Sequence, residues 1–260
     1  RRVLVVTNIE TKEAKVLSGT SATTSVQSFR WLNDNQLLLT RDGRAEIDSL
    51  SYYIIDKDGK NTELLLEAKK NKKKPGYEIP FVRGIYSKFP EKIMVSLRNN
   101  SSRTMIYYWL NLKTKEKTLI VRTPTIKNEV VYRFLFDHNG VAKGFLSYDT
   151  DGPDMGMVDS FYLYNEDGTF DQVGSCRHQG ACFQPLAFDV DNTTLLGVGQ
   201  AVQSDGSILD ETDTNALWAY DTVSREFTEM IHHDPDYDIY PNMWFDNAPS
   251  GTELFGFSYE

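Results

Sequence analysis

The sequence predicts an all-β fold, a β-propeller of four-stranded antiparallel blades, and three observations carry that expectation. The segment "NIETKEAKVL" from Asn8 returns at Asn111 as "NLKTKEKTLI", and comparable turns open at Asp56, Asn165 and Asp221, so the five openers are spaced 48, 55, 54 and 56 residues apart. Each period holds four apolar, aromatic-rich runs of strand length parted by polar turns. Helical periodicity is almost absent. One such sheet cannot cover both of its own faces, so neighbouring units must stack, and repetition follows from that need.

Taken in order, residues 1–18 supply two strands around the Asn8 turn, the last half of a blade. Residues 22–67 read as a complete blade: "VQSFRWL", "NQLLLTR", "LSYYII" and, after the Asp-Gly turn "DKDGKN", "TELLL". Residues 77–122 repeat the pattern with "GIYS", "KIMVSLR", "TMIYYWL" and "KTLIV". Residues 128–175 hold "YRFLFD", "AKGFLSYD" and "DSFYLY" before the turn "YNEDGTFDQVG". Residues 181–231 hold "PLAFDV", "TLLGVGQ", "ALWAY" and "REFTEM". Residues 239–260 supply the first two strands of a further blade. Two closures stay open at this point: the half-blades complete each other in a five-bladed ring, or the chain is a fragment of a seven- or eight-bladed propeller. In the larger propeller, Leu4, Val6, Phe255 and Phe257 are expected to be partly exposed or buried in a neighbouring molecule.

The chain has 260 residues, 40% of them hydrophobic, ample for a folded core, and no apolar run of membrane-spanning length. A formal net charge of −9 argues against a nucleic-acid partner. The run "KKNKKKPG", with Lys69, Lys70, Lys72, Lys73 and Lys74, reads as a solvated loop. Cys176 and Cys182, in "SCRHQGAC", are spaced for a small disulfide loop of the kind found in periplasmic or secreted proteins; two reduced thiols in a cytoplasmic protein are the alternative. With His178 they offer only three zinc ligands, too few for a structural site.

Motifs for chemistry are sparse. No Gly-x-Ser-x-Gly elbow is present. His232 and His233 are adjacent, so on an extended chain they face opposite ways and do not readily share a metal. Asp149, Asp151 and Asp154 in "YDTDGPDMG" resemble the front of a calcium loop without its distal Glu and without flanking helices, and turn chemistry alone accounts for Asp and Gly there. The insertion "DGSILDETDT" places Asp205, Asp210, Glu211 and Asp213 in one loop. The insertion reads first as a solvated loop; Asp210, Glu211 and Asp213 are its candidate substrate-binding residues, whether as paired carboxylates or as a grip on an ammonium group. No cofactor, metal site or catalytic residue is expected within the chain.

The ordered series "SVQSFRWLNDNQLLLT", "YYIIDKDGKNTELLL", "FLFDHNGVAKGFLSYD", "LAFDVDNTTLLGV", "LWAYDTVSREFTEMIHHDPDYDI" and "GTELFGFSYE" resembles the N-terminal propeller of bacterial prolyl oligopeptidase family serine peptidases, in the dipeptidyl-aminopeptidase and acylaminoacyl-peptidase-like branch. The resemblance covers nearly the whole chain. It implies a propeller that gates and selects peptide substrates for a C-terminal α/β-hydrolase domain of the same polypeptide, a domain not among these 260 residues. The chain alone is then expected to be inactive, because no position matches a catalytic triad. Two other readings fit the architecture: a stand-alone TolB-like interaction propeller, and a five-bladed glycosidase-like enzyme.

Overall fold

The computed structural model describes residues 3–19, 24–43, 50–70, 76–99, 104–151, 158–177, 182–201, 209, 214–246 and 253–259, with backbone alone at 24, 43, 158, 176–177, 240–246 and 253–259. Every regular element among them is a strand. The chain divides into two compact units, Arg1–Thr123 and Pro124–Glu260.

In the first unit β1 (Val3–Thr7) and β2 (Ala14–Gly19) form a two-stranded sheet. The first blade has the order β3 (Thr24–Asn33), β4 (Gln36–Gly43), β5 (Ser51–Asp56), β6 (Thr62–Glu67). The second contains β8 (Tyr77–Ile85), β9 (Lys92–Asn99), β10 (Met105–Asn111) and β11 (Lys117–Arg122). In the second unit the third blade runs β12 (Glu129–Phe136), β13 (Ala142–Asp149), β14 (Val158–Tyr164), β15 (Phe170–Arg177). The fourth runs β16 (Gln184–Phe188), β17 (Thr194–Gly199), β18 (Ala216–Asp221), β19 (Glu226–His232), and β20 (Ile239–Asp246) pairs with β21 (Glu253–Tyr259). All pairings are antiparallel between neighbours in sequence, and the fold class is that of a β-propeller.

One element departs from expectation. Lys69 and Lys70, read from sequence as loop, form the two-residue strand β7 (Lys69–Lys70), which pairs with Tyr77 and Glu78 and gives the second sheet a fifth strand. Both side chains remain in solvent, where cations blunt a sheet edge. Lys72, Lys73 and Lys74 lie outside the described residues.

The repeated sentence in the sequence is one turn built twice. The Asn8 carboxamide oxygen accepts from the amides of Glu10 and Thr11, at 2.9 and 3.1 Å, and Lys12 closes the turn at φ 62°. At Asn111 the same oxygen accepts from Lys113 and Thr114, at 2.9 Å each, and Lys115 takes φ 62°. Asp221 repeats it with Val223, Ser224 and Arg225. A short side-chain acceptor that mimics a backbone turn is why Asn or Asp stands at these three openers. The turns at Asp56 and Asn165 use glycine instead, Gly59 at φ 71° and Gly168 at φ 83°.

Central strands carry apolar residues on both faces because each sheet is covered twice. In "QLLLT", Leu37 and Leu39 pack with Leu4, Val26 and Ile55, while Leu38 turns the other way, with Ile54, onto Ile93, Val95, Tyr108 and Leu110 of the second blade. Leu37 and Leu39 are fully buried, and each such side chain contributes about 1.5–3 kcal/mol. Leu4, expected to be partly exposed in a larger propeller, is 3% exposed; alternation along β1 turns Val3 and Val5 outward instead. Val6 is half-buried, and the side chains of Phe255 and Phe257 lie outside those described. In the second unit Leu135, Leu146, Phe161 and Leu163 of the third blade pack on Phe188, Leu195 and Tyr220 of the fourth.

Polar ties join turns of adjacent blades. Lys115 meets Glu63 at 2.9 Å in the first unit, and Arg225 donates to Asp171 at 2.8 Å and to the Asn165 carboxamide in the second. The Asp171 carboxyl is held below its usual range by the Arg225 and Asn165 hydrogen bonds. Asp191 caps the β16–β17 turn. Partial burial, the largest single influence on it, raises its pKa, but hydrogen bonds from the Thr194 hydroxyl and amide and the Thr193 amide together outweigh this and bring it down to about 2. A folded-state pKa below the unfolded value stabilises fully above about pH 5, and the contribution is lost as pH falls toward 2. Screened by solvent, it is worth about 1 kcal/mol. Asp191→Asn is therefore expected to cost about that much at pH 7, and denaturant titrations of both forms should converge between pH 4 and pH 2.

Candidate functional site

A cavity of about 240 Å³ opens between the third and fourth blades, within the second unit. Its apolar wall is aromatic. Phe183, just before β16, stacks on Tyr220 of β18 with centroids 5.9 Å apart and meets Phe227 of β19 edge-on at 5.0 Å; Phe161 of β14 meets Tyr220 edge-on at 6.1 Å. These offset and edge arrangements are the favoured ones for rings. Phe183 is held in place because Gly197 lacks a side chain: a Cβ there would lie 2.3 Å from the Phe183 ring.

The polar side of the cavity includes Tyr132 of β12, Asp159 of β14, Asn215 and Gln184. Burial, the Asp159 charge and a hydrogen bond to Asp159 push the Tyr132 phenol up to about 12, with the Arg133 charge opposing them. Tyr132 is thus protonated at neutral pH and donates to the Asp159 carboxylate. Arg133 itself donates to the Leu186 carbonyl at 2.7 Å, tying β12 to β16. Asn215 is fixed through its amide, which donates to Asp238 at 2.6 Å. A second carboxylate nearby has a structural role: Glu129 accepts from the Tyr162 hydroxyl at 2.9 Å and from Ser147.

The candidate residues Asp210, Glu211 and Asp213, with Asp205, lie outside the described residues. The described flanks of that segment, Gly199 and Asn215, both line the cavity, and so does Cys182. The Cys176–Cys182 pairing rests on a Cys176 side chain outside those described. Asp149 accepts from the Asp151 amide at 2.8 Å and Asp151 accepts from Asn128 at 3.0 Å, so both carboxylates serve turn geometry; Asp154 is outside the described residues. The Thr214 hydroxyl donates to the Asp234 carbonyl at 2.5 Å, which leaves it to accept from His233 Nε2 at 2.8 Å. Among the described residues no three His, Cys, Asp or Glu side chains converge as metal ligands, and no helix is long and apolar enough to cross a membrane.

Sequence reasoning missed Tyr132, Asp159 and Phe183. Each looks like an ordinary strand residue locally, and only blade-on-blade packing assembles them. Among the described residues the cavity offers a carboxylate and a phenol beside an aromatic wall, which suits binding.

No protein-family model matches the chain, and no curated protein sequence does. Among solved structures, the chain is similar to the β-propeller domain of the trilobed protease from Pyrococcus furiosus, which has an open velcro topology, with a TM-score of 0.51 at 11% identity over 98% of this chain and 71% of that one. Other similar structures are dipeptidyl peptidase 4 from Porphyromonas gingivalis, TM-score 0.49 at 10% identity over 94% of this chain, and an acylaminoacyl peptidase from Pyrococcus horikoshii, TM-score 0.47 at 12% identity over 91%. The chain spans 45% and 36% of those two proteins. At these identities what is shared is the propeller fold.

Proposed function

We propose that this chain is a non-catalytic propeller domain that gates and selects peptide substrates for an α/β-hydrolase serine peptidase domain carried C-terminally in the same polypeptide. The observation that carries the reading is the likeness of fold, over 98% of the chain, to the propeller domain of a protease. The ordered strand and turn segments quoted above point the same way. The physical role is selection by size: stacked blades admit an extended peptide to a sheltered site and exclude a folded domain. Acyl transfer by a Ser-His-Asp triad belongs to the partner domain.

The test is to express the full-length polypeptide and a version lacking residues 1–260, and to assay each on a short fluorogenic peptide and on a folded protein. The full-length form is expected to cleave the peptide and spare the folded protein, and the truncated form to lose that discrimination. Residues 1–260 alone should cleave neither. A coding sequence that continues without a Gly-x-Ser-x-Gly elbow sinks the reading.

We also propose that Cys176 and Cys182 form a disulfide, as expected of a periplasmic or secreted protein. The chain has only two cysteines, six residues apart, which supports the pairing. Intact mass before and after reduction checks it: no gain of two hydrogens excludes the bond.

A further inference from the structure

The two units differ sharply in charge. Residues 124–260 hold 24 Asp and Glu against five Lys and Arg, a formal −19, whereas residues 1–123 hold 13 against 23, a formal +10. The cavity between the third and fourth blades lies wholly within the acidic unit. A cleft in such a field concentrates cations and repels anions. Its lining adds a preference of the same sign and an apolar surface. Phe161, Phe183, Tyr220 and Phe227 form the apolar wall, their rings packed on one another. Asp159 supplies a carboxylate for a charge-assisted hydrogen bond.

Size narrows the ligand. A cavity of about 240 Å³ lies below the usual range of pockets for drug-sized ligands and suits a small organic group. We propose that this cavity binds a protonated amine carried on a short apolar stem, the ammonium at Asp159 and the stem against Phe183, Tyr220 and Phe227. Two sources share that chemistry, a free arylalkylamine and the side chain of a lysine within a peptide. The proposal concerns binding alone and stands apart from the gating role.

Isothermal titration of the whole 260-residue chain tests it with three probes: phenethylamine, Nα-acetyl-lysine methylamide, and 3-phenylpropionate, which has a similar ring and stem with a negative head. Saturable binding of at least one amine, weakened by added salt, with no detectable binding of 3-phenylpropionate, is the expected result; the tighter amine identifies the source. Asp159→Asn keeps the shape and an acceptor for Tyr132 while removing the charge, and is expected to weaken amine binding about tenfold or more, as loss of a charge-assisted hydrogen bond does. Binding of the anion as tightly as the amine, unchanged affinity in Asp159→Asn, or no amine binding at all each overturns the proposal. The comparison of cation with anion needs no variant, so it holds if Asp159→Asn fails to fold.

Discussion

Gly199→Ala is expected to destabilise the second unit by about 4 kcal/mol, at the upper end of single substitutions. Gly199 ends β17 at φ +134°, a backbone conformation that side chains rarely adopt. Holding a residue with a Cβ there costs about 1–3 kcal/mol by itself. Space is the larger obstacle. A Cβ at Gly199 would sit 1.8 Å from the Cys182 carbonyl oxygen and 3.1 Å from the Phe183 Cα. These are backbone atoms, so relief requires moving the 182–183 segment away from β17, and that segment forms one wall of the cavity. The Gly199 carbonyl also accepts from Trp218 Nε1 at 3.0 Å, a buried bond that the same shift strains. Gly174→Ala is the control: it lines the same cavity, and a Cβ there meets nothing within 4 Å. Its effect should stay within about 0.5 kcal/mol. Guanidinium titrations of both variants decide the matter, and equal midpoints would show that the close approach at Gly199 is not a constraint.

The contrast between these two glycines marks how far the sequence can be read. Both stand in strands rich in apolar residues, and nothing local separates "TLLGVGQ" from "QVGSC". What does show locally is the turn chemistry: an Asn or Asp opener, which in three turns accepts from the amides two and three residues on with Lys or Arg at positive φ, and in the other two is followed by a Gly at positive φ. Five turns at a near-constant period reveal the repeat, and the apolar runs between them reveal the strands. The cavity is hidden for a definite reason. Its walls come from eight strands of two blades, and bulges change which face a residue occupies. Register shifts fall between Val131 and Arg133, Phe161 and Tyr162, and Pro185 and Ala187, each beside a cavity residue. One extra residue reverses the alternation beyond it, so counting in twos from the strand ends places Tyr132 and Phe161 unreliably. Asp159 carries no signal either, since an acidic residue early in a strand reads as a solvated edge. Lys69 and Lys70 fail as strand residues for the opposite reason: composition marks them as loop, and only the pairing partner Glu78 and Tyr77 provide makes them β.

Phe145→Ala is the second large effect, expected at about 4 kcal/mol. Phe145 lies on β13, the second strand of the third blade, and is fully buried. It stacks on Tyr162 with centroids 4.8 Å apart and an interplanar angle of 13°, meets Phe170 edge-on at 5.1 Å, and packs at a tilt against Tyr164 at 5.5 Å and Phe134 at 6.0 Å. Removing a buried phenyl ring costs about 3–5 kcal/mol through lost transfer energy and the cavity left behind, and this ring also ends contacts with four others. The neighbours have little freedom to collapse into the space. The Tyr162 hydroxyl is tied to Glu129, and burial followed by that bond pushes its phenol up to about 12, so it remains a donor throughout the physiological range. Gly144, the residue before Phe145, lies against the Tyr162 carbonyl, where a Cβ would come within 2.4 Å, so the backbone there has no slack. Phe145→Leu retains most of the volume and should cost about 1.5 kcal/mol or less. Amine affinity provides the discriminating second measurement. Phe145 is not in the cavity lining, so Phe145→Leu should shift the unfolding midpoint while leaving phenethylamine affinity unchanged, whereas Asp159→Asn should lower affinity with a smaller change in midpoint. If Phe145→Leu weakens binding as much as Asp159→Asn does, the cavity is shaped by the general rigidity of the third blade, and the carboxylate is not what recognises the ligand.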